Sequence, residues 1–174
     1  MSLTNTAVEP TIYGLGGSGG IPSKSNIVLT YPLAASSSVS KGDWVLENTS
    51  TGVIQICTDT ADNPIGVAFT DVDNSTGAAS DKYVAVLRHG FAYCDGLSSS
   101  SGTPAGGAIN FGALLYLSVT SATHPYEGQG LTATNGGTCV AKSMDQVAVP
   151  TDTTTKIVKI RVYLDRLSKA ALVV

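Results

Sequence analysis

The sequence predicts an all-β fold: a compact antiparallel β-barrel or sandwich built from two similar halves, with an extended N-terminal arm. Three observations carry this expectation. Short apolar segments recur along the chain, separated by clusters of Gly, Asn, Asp and Ser, the pattern of many short strands joined by turns. The segment "KIVKIRVYLD" (156–165) alternates strictly, with Val158, Ile160, Val162 and Leu164 on one side and Lys159, Arg161, Tyr163 and Asp165 on the other. That is the period of a half-buried strand. Finally, the second half repeats phrases of the first. "NFGALLYLSVT" (110–120) answers "SKGDWVLEN" (40–48), "TCVAKSMD" (138–145) answers "IGVAFTD" (65–71), and "TKIVKIRVYLDR" (155–166) answers "KYVAVLRHG" (82–90).

Taken in order, residues 1–26 form the arm, whose "GLGGSGGIPSKS" (14–25) has no hydrophobic periodicity and cannot fold alone. Residues 27–174 form a single barrel-like domain. "NIVLTYPLA" (26–34) is a strand that Pro32 ends or confines to an edge. A turn at Lys41–Asp43 leads into a strand through residue 48, and "NTSTG" connects it to a second strand over 51–60. Residues 63–71 make a third strand and 73–81 a loop shaped by turn residues. A long strand over 81–96 bends at Gly90, and 97–107 is a low-complexity loop. Strands follow over 110–120, 127–137, 138–145 and 155–166. The tail "LSKAALVV" is a single helical turn or a docked apolar end.

The composition narrows function. The 174 residues suffice for one domain with a real core. Net charge is −3 with no basic stripe, which excludes nucleic acid as a direct partner. Charged residues make up 13% of the chain, against about 25% in an average domain. That low share suits a protein packed against neighbours, because charge is depleted from interface cores. It equally suits a secreted β-protein with a hydroxyl-rich surface. No apolar run reaches the length of a membrane helix, so no membrane partner is expected. The start lacks the basic and apolar regions of a signal peptide. Cys57, Cys94 and Cys139 are widely spaced and odd in number, which points to packed free thiols made in a reducing cytoplasm.

Candidate chemistry is sparse. The glycine-rich arm does not match a phosphate loop: Pro22 interrupts it and Lys24 falls out of place. Ser18 lacks the strand–turn–helix that presents a serine nucleophile. His89 ends a strand and suits a local hydrogen bond or a subunit contact; His124, before Pro125, is a solvated loop residue. "DVDN" (71–74) spaces Asp71, Asp73 and Asn74 somewhat like a calcium loop, without the required Gly and Glu; the competing reading is that these side chains bond their own backbone. Cys94 has no histidine paired with it in sequence. Trp44 suits a core or interface anchor. We therefore expect no enzyme activity, no cofactor and no metal.

The order of motifs "KGDWV", "NPIGVAFTD", "VAVLRHG", "GALLYLS", "CVAKSMD" and "KIVKIRVYL" resembles, over residues 27–166, a family of tailed-virus head decoration (cement) or capsid fibre proteins of the DUF2190 type. The loops 73–81, 97–107 and 121–137 are longer than in that family's compact form, and the arm is an addition. The resemblance implies a structural virion protein, often trimeric, made in the host cytoplasm and bound to the outer capsid surface. There it would bridge major capsid proteins and resist the pressure of packaged DNA. Its partners would be the major capsid protein and two further copies of itself. On this basis the arm, through Tyr13, Leu15, Ile21 and Pro22, is expected to lie on a capsid subunit or adjacent protomer, and Trp44, His89 and Tyr93 to contribute to the trimer. Three other classes compete. One is a capsid-displayed adhesin or head-fibre base, binding carbohydrate through loops 97–107 and 121–130 with Tyr116 and Tyr126 as stacking platforms. Another is an enzyme using His89 and Cys94. The third, a secreted matrix protein, conflicts with the absence of a signal peptide.

Overall fold

The computed structural model describes residues 26–98, 108–120, 128–133, 138–148 and 156–166. The arm contacts expected at Tyr13, Leu15, Ile21 and Pro22 lie outside these residues, as do Ser18, His124, Tyr126 and the C-terminal tail. Eleven strands are described and, among the described residues, no helix. They are β1 (Ile27–Pro32), β2 (Ser37–Val39), β3 (Trp44–Glu47), β4 (Ile54–Ile56), β5 (Gly66–Ala68), β6 (Val72–Asn74), β7 (Tyr83–Ser98), β8 (Leu114–Thr120), β9 (Gly128–Thr132), β10 (Cys139–Ser143) and β11 (Lys156–Asp165).

The sheet runs β11-β10-β8-β9-β7-β5-β3-β4, and β11 also pairs with β7. Strands β7, β9, β8, β10 and β11 therefore close into a five-stranded barrel. Closure removes the exposed edges of a Val/Thr-rich sheet. Strands β1, β3, β4 and β5 make a similar ring with the first half of β7. β1 and β5 flank the first half of β7, β3 and β4 continue from β5, and a parallel bridge from Leu33 to Ile54 joins the two ends. The corresponding closure of the second barrel is the parallel pair Gly96–Leu131.

The halves match hydrogen bond by hydrogen bond. The Asp43 amide donates to Ser40 O at 3.0 Å, and the Ala113 amide to Asn110 O at 3.0 Å. Gly42 and Gly112, both at positive φ (100° and 78°), donate to Ala68 O and Ser143 O. Phe69 donates to Ala85 O where Met144 donates to Arg161 O. Even the small β2–β6 pair, with Val39 opposite Val72, has its counterpart in the isolated bridge between Ile109 and Val147. The interior positions correspond as well: Val39 and Ile109, Val45 and Leu115, Ile54 and Leu131, Val84 and Ile160, Val86 and Val162 are all buried.

β7 belongs to both rings, and it switches faces between them. Val84 and Val86 point into the first ring, whereas Ala92 and Cys94 point into the second barrel. The β7 residues that face the cluster around Ile160 pass from odd (Leu87) to even (Ala92, Cys94) across Gly90, at φ 119°, beside a register irregularity where Ile27 meets His89 and Val28 meets Leu87. The bend expected at Gly90 is thus a bulge that re-aims the strand. As a result Trp44, Val67 and Leu87, on the outside of the first ring, join Val140, Ile160 and Leu164 in one core cluster.

Several segment boundaries differ from expectation. The strand expected over 51–60 pairs only over Ile54–Ile56, and that over 63–71 only over Gly66–Ala68. β6 begins just before the loop expected over 73–81 and takes in its first two residues, because Val72 finds Val39 across a ladder that turn residues do not announce. β7 continues to Ser98, held by β11 to the end of its length.

Candidate functional site

The wall shared by β7 and β11 positions the most varied side chains. Register places His89 opposite Asp165, Phe91 opposite Tyr163, Tyr93 opposite Arg161 and Asp95 opposite Lys159. Their neighbours Ala92, Cys94, Ile160, Val162 and Leu164 are buried inside the barrel. By alternation this second set stands on the outside. Phe91 and Tyr163 pack with ring centroids 5.2 Å apart, and His89 meets Tyr163 edge-on at 5.4 Å. Asp165 Oδ1 lies 3.2 Å from His89 Nδ1, at an angle outside hydrogen bonding. Lys159 Nζ pairs with Asp95 at 2.6 Å. At the margin, Asp145 accepts from Arg161 Nε at 2.6 Å and from its backbone amide at 2.7 Å. The Arg161 hydrogen bond holds the Asp145 carboxyl below its usual range, against an opposing effect of burial. The result is a half-buried aromatic strip of Phe91, Tyr93 and Tyr163 between charged flanks.

Two of the three expected trimer residues, His89 and Tyr93, lie on this strip. Trp44 does not. It is 1% exposed within a single chain and belongs to the core joining the two halves, so it has no surface to offer a partner. Of the two cores that were open to it, the intramolecular one holds it, because β3 turns its outer face onto the second barrel.

His89 and Cys94 are not brought together. His89 stands opposite Asp165 on the outside, while Cys94, opposite Ile160, points into the barrel. Burial pushes the Cys94 thiol up to about 12, far from a reactive thiolate. Cys57 is likewise pushed to about 12, first by burial and then by the Asp62 charge.

The "DVDN" carboxylates serve the backbone. Asp71 Oδ1 accepts from the Lys41 amide at 2.7 Å, and Asp73 Oδ1 from the Ser75 amide at 2.9 Å. The Asn74 side-chain amide donates to Ala34 O and Ala78 O, tying three loops together. Among the described residues no group of three His, Cys, Asp or Glu side chains has metal-holding geometry.

One surface residue escaped sequence reasoning. Phe111 is 67% exposed at the tip of the turn before β8, where the first half carries Lys41. The signal was available in the alignment of "NFGA" with "SKGD", which puts Phe at a turn tip where a charge stands in the other copy.

Compared with protein-family models, curated proteins and solved structures, the chain matches none.

Proposed function

We propose that this protein is a structural virion protein: a decoration, or cement, protein that binds the outside of an icosahedral head and bridges major capsid proteins. The observation that carries the proposal is the order of segments "KGDWV", "NPIGVAFTD", "VAVLRHG", "GALLYLS", "CVAKSMD" and "KIVKIRVYL", which resembles that family over residues 27–166. Each of these segments contributes strand or leading turn to one of the two rings. The low charge content supports the same reading, since surfaces destined for contact shed Lys and Glu.

In this proposal the aromatic strip on the β7–β11 wall contacts a second copy of the chain in a trimer, and Phe111 contacts the shell. Aromatic residues are enriched in interface cores. Attachment at several junctions at once turns modest single contacts into firm binding, because each later contact is made at high effective concentration. The mechanism is mechanical, and no catalytic step enters it.

Co-sedimentation with expanded, empty heads tests the reading. Saturable binding at a fixed ratio to the major capsid protein is expected, with weaker binding by Phe111→Ser. Absence of the wild-type protein from the pelleted heads would sink the proposal. Sedimentation velocity addresses the trimer separately, and a wild-type monomer at working concentrations rules that part out.

A further inference from the structure

The two halves correspond closely, and position 88 departs from that correspondence. Val86 and Val162 are equivalent, so Arg88 stands where the second barrel has Leu164, and Ile65 where it has Val140. Leu164 and Val140 are fully buried apolar residues. A ring of this design therefore does not require an arginine at position 88.

Arg88 instead meets Arg166 across the seam between the halves. Its Nε and Nη2 both donate to Arg166 O, the former at 3.0 Å, and its Nη1 donates to Tyr31 Oη. The Arg166 side chain donates to Pro64 O at 2.9 Å, to Cys139 O at 3.3 Å and to Asn63 Oδ1. Every one of these acceptors is neutral. No carboxylate stands within ion-pair distance of either guanidinium among the described residues. Arg166 is nevertheless only 8% exposed. Buried charges are ordinarily paired. Each guanidinium has five N–H donors, and three of its nitrogens are engaged here, which leaves N–H groups on both to spare.

Both arginines line one cavity of about 230 Å³, together with Glu47, Asp62, Pro64 and Ile65. Asp62 is already committed: its Oδ2 accepts from the Thr58 and Asp59 amides at 2.7 and 2.9 Å. Glu47 offers a charge on the same lining without pairing to either arginine.

We propose that this cavity is a binding site for a small oxyanion, a carboxylate or phosphate group, held between Arg88 and Arg166. The anion supplies the charge partner that the fold leaves out, and the spare N–H groups are its donors. Charge-assisted hydrogen bonds of this kind are the strong ones. Glu47 and Asp62 both oppose binding by their charges, so the anion seats against the arginines and away from both carboxylates.

The test is a titration of the full chain, labelled with nitrogen-15, with sodium acetate and separately with inorganic phosphate. Ionic strength is held constant with chloride. The Nε–H signals of Arg88 and Arg166 are expected to shift saturably with at least one of the two anions, and the arm that saturates identifies the carboxylate or the phosphate as the preferred chemistry. Arg88→Met should weaken binding about tenfold or more, the worth of one or two charge-assisted hydrogen bonds. Glu47→Gln, a change on the cavity lining that leaves both arginines in place, should tighten it. Shifts that rise linearly and match those of chloride alone overturn the proposal, as does binding that Glu47→Gln fails to strengthen.

Discussion

Trp44 is the only tryptophan in the chain, and it is buried where the outside of one ring meets the core of the other. Replacing it with alanine should cost about 3–5 kcal/mol, the usual range for an aromatic lost from a core. Circular dichroism in urea measures this without relying on tryptophan fluorescence. A cost below about 1 kcal/mol would show that the two cores do not depend on it. The cysteines give a second residue-level prediction. Cys94 and Cys57 are buried, with thiols pushed up to about 12, whereas Cys139 is raised less and partly accessible. Thiol reagents should therefore modify Cys139 first in the native protein, and Cys94 only on unfolding; rapid native labelling of Cys94 contradicts the structure. Gly42 and Gly112 allow a third comparison. A Cβ would meet nothing within 4 Å at either, so alanine there pays only for its backbone angle. Left-handed backbone costs an L-residue about 1–2 kcal/mol. Gly42, at φ 100°, lies farther from the left-handed helical well than Gly112 at 78°, so Gly42→Ala should be the more damaging of the two in paired denaturation curves.

At the scale of elements, the Asp145–Arg161 contact pins the turn after β10 to β11. Asp145 has a depressed carboxyl, so its contribution is present above the ordinary carboxylate pKa of 3.8 and disappears as pH falls through the lower folded value. Asp145→Asn should therefore lower stability at neutral pH and flatten its decline in acid; parallel acid limbs for variant and wild type would rule this out. Much at this scale was legible in the sequence. The alternation from Val158 to Leu164 specified which side of β11 enters the barrel: Ile160, Val162 and Leu164 are buried, and Val158 is partly buried against the same cluster. The echo of "IGVAFTD" in "TCVAKSMD" announced equivalent strands, and β5 and β10 share their ladder pattern. What could not be read was pairing at long range. Nothing local in Ser37–Val39 says that it will meet Val72–Asn74, and Gly90 marks a bend without saying that the strand changes its inner face there. The candidate site shows the same division. His89, expected to end a strand, lies within β7, and its register opposite Asp165 beside Tyr93 could not be read locally. The meeting of Arg88 with Arg166 depends on a contact between residues 78 apart in sequence, and Trp44 was placed in a trimer because its burying surface comes from the other half.

The whole molecule is held together by sharing. Because β7 is a wall of both rings and Arg166 bonds Pro64 and Cys139 across the seam, neither half can lose its structure without exposing the other's core. Thermal unfolding should be one cooperative transition, with calorimetric and van't Hoff enthalpies in agreement; two resolved peaks would contradict the shared strand. The same strand also gives the two rings unequal standing during synthesis. Every strand of the first ring has been made by Ser98, whereas the second ring takes one wall from β7 and the rest from residues made later. Chains fold from the N-terminus as they emerge. The early ring can thus present a finished template, and the later strands close on it in turn.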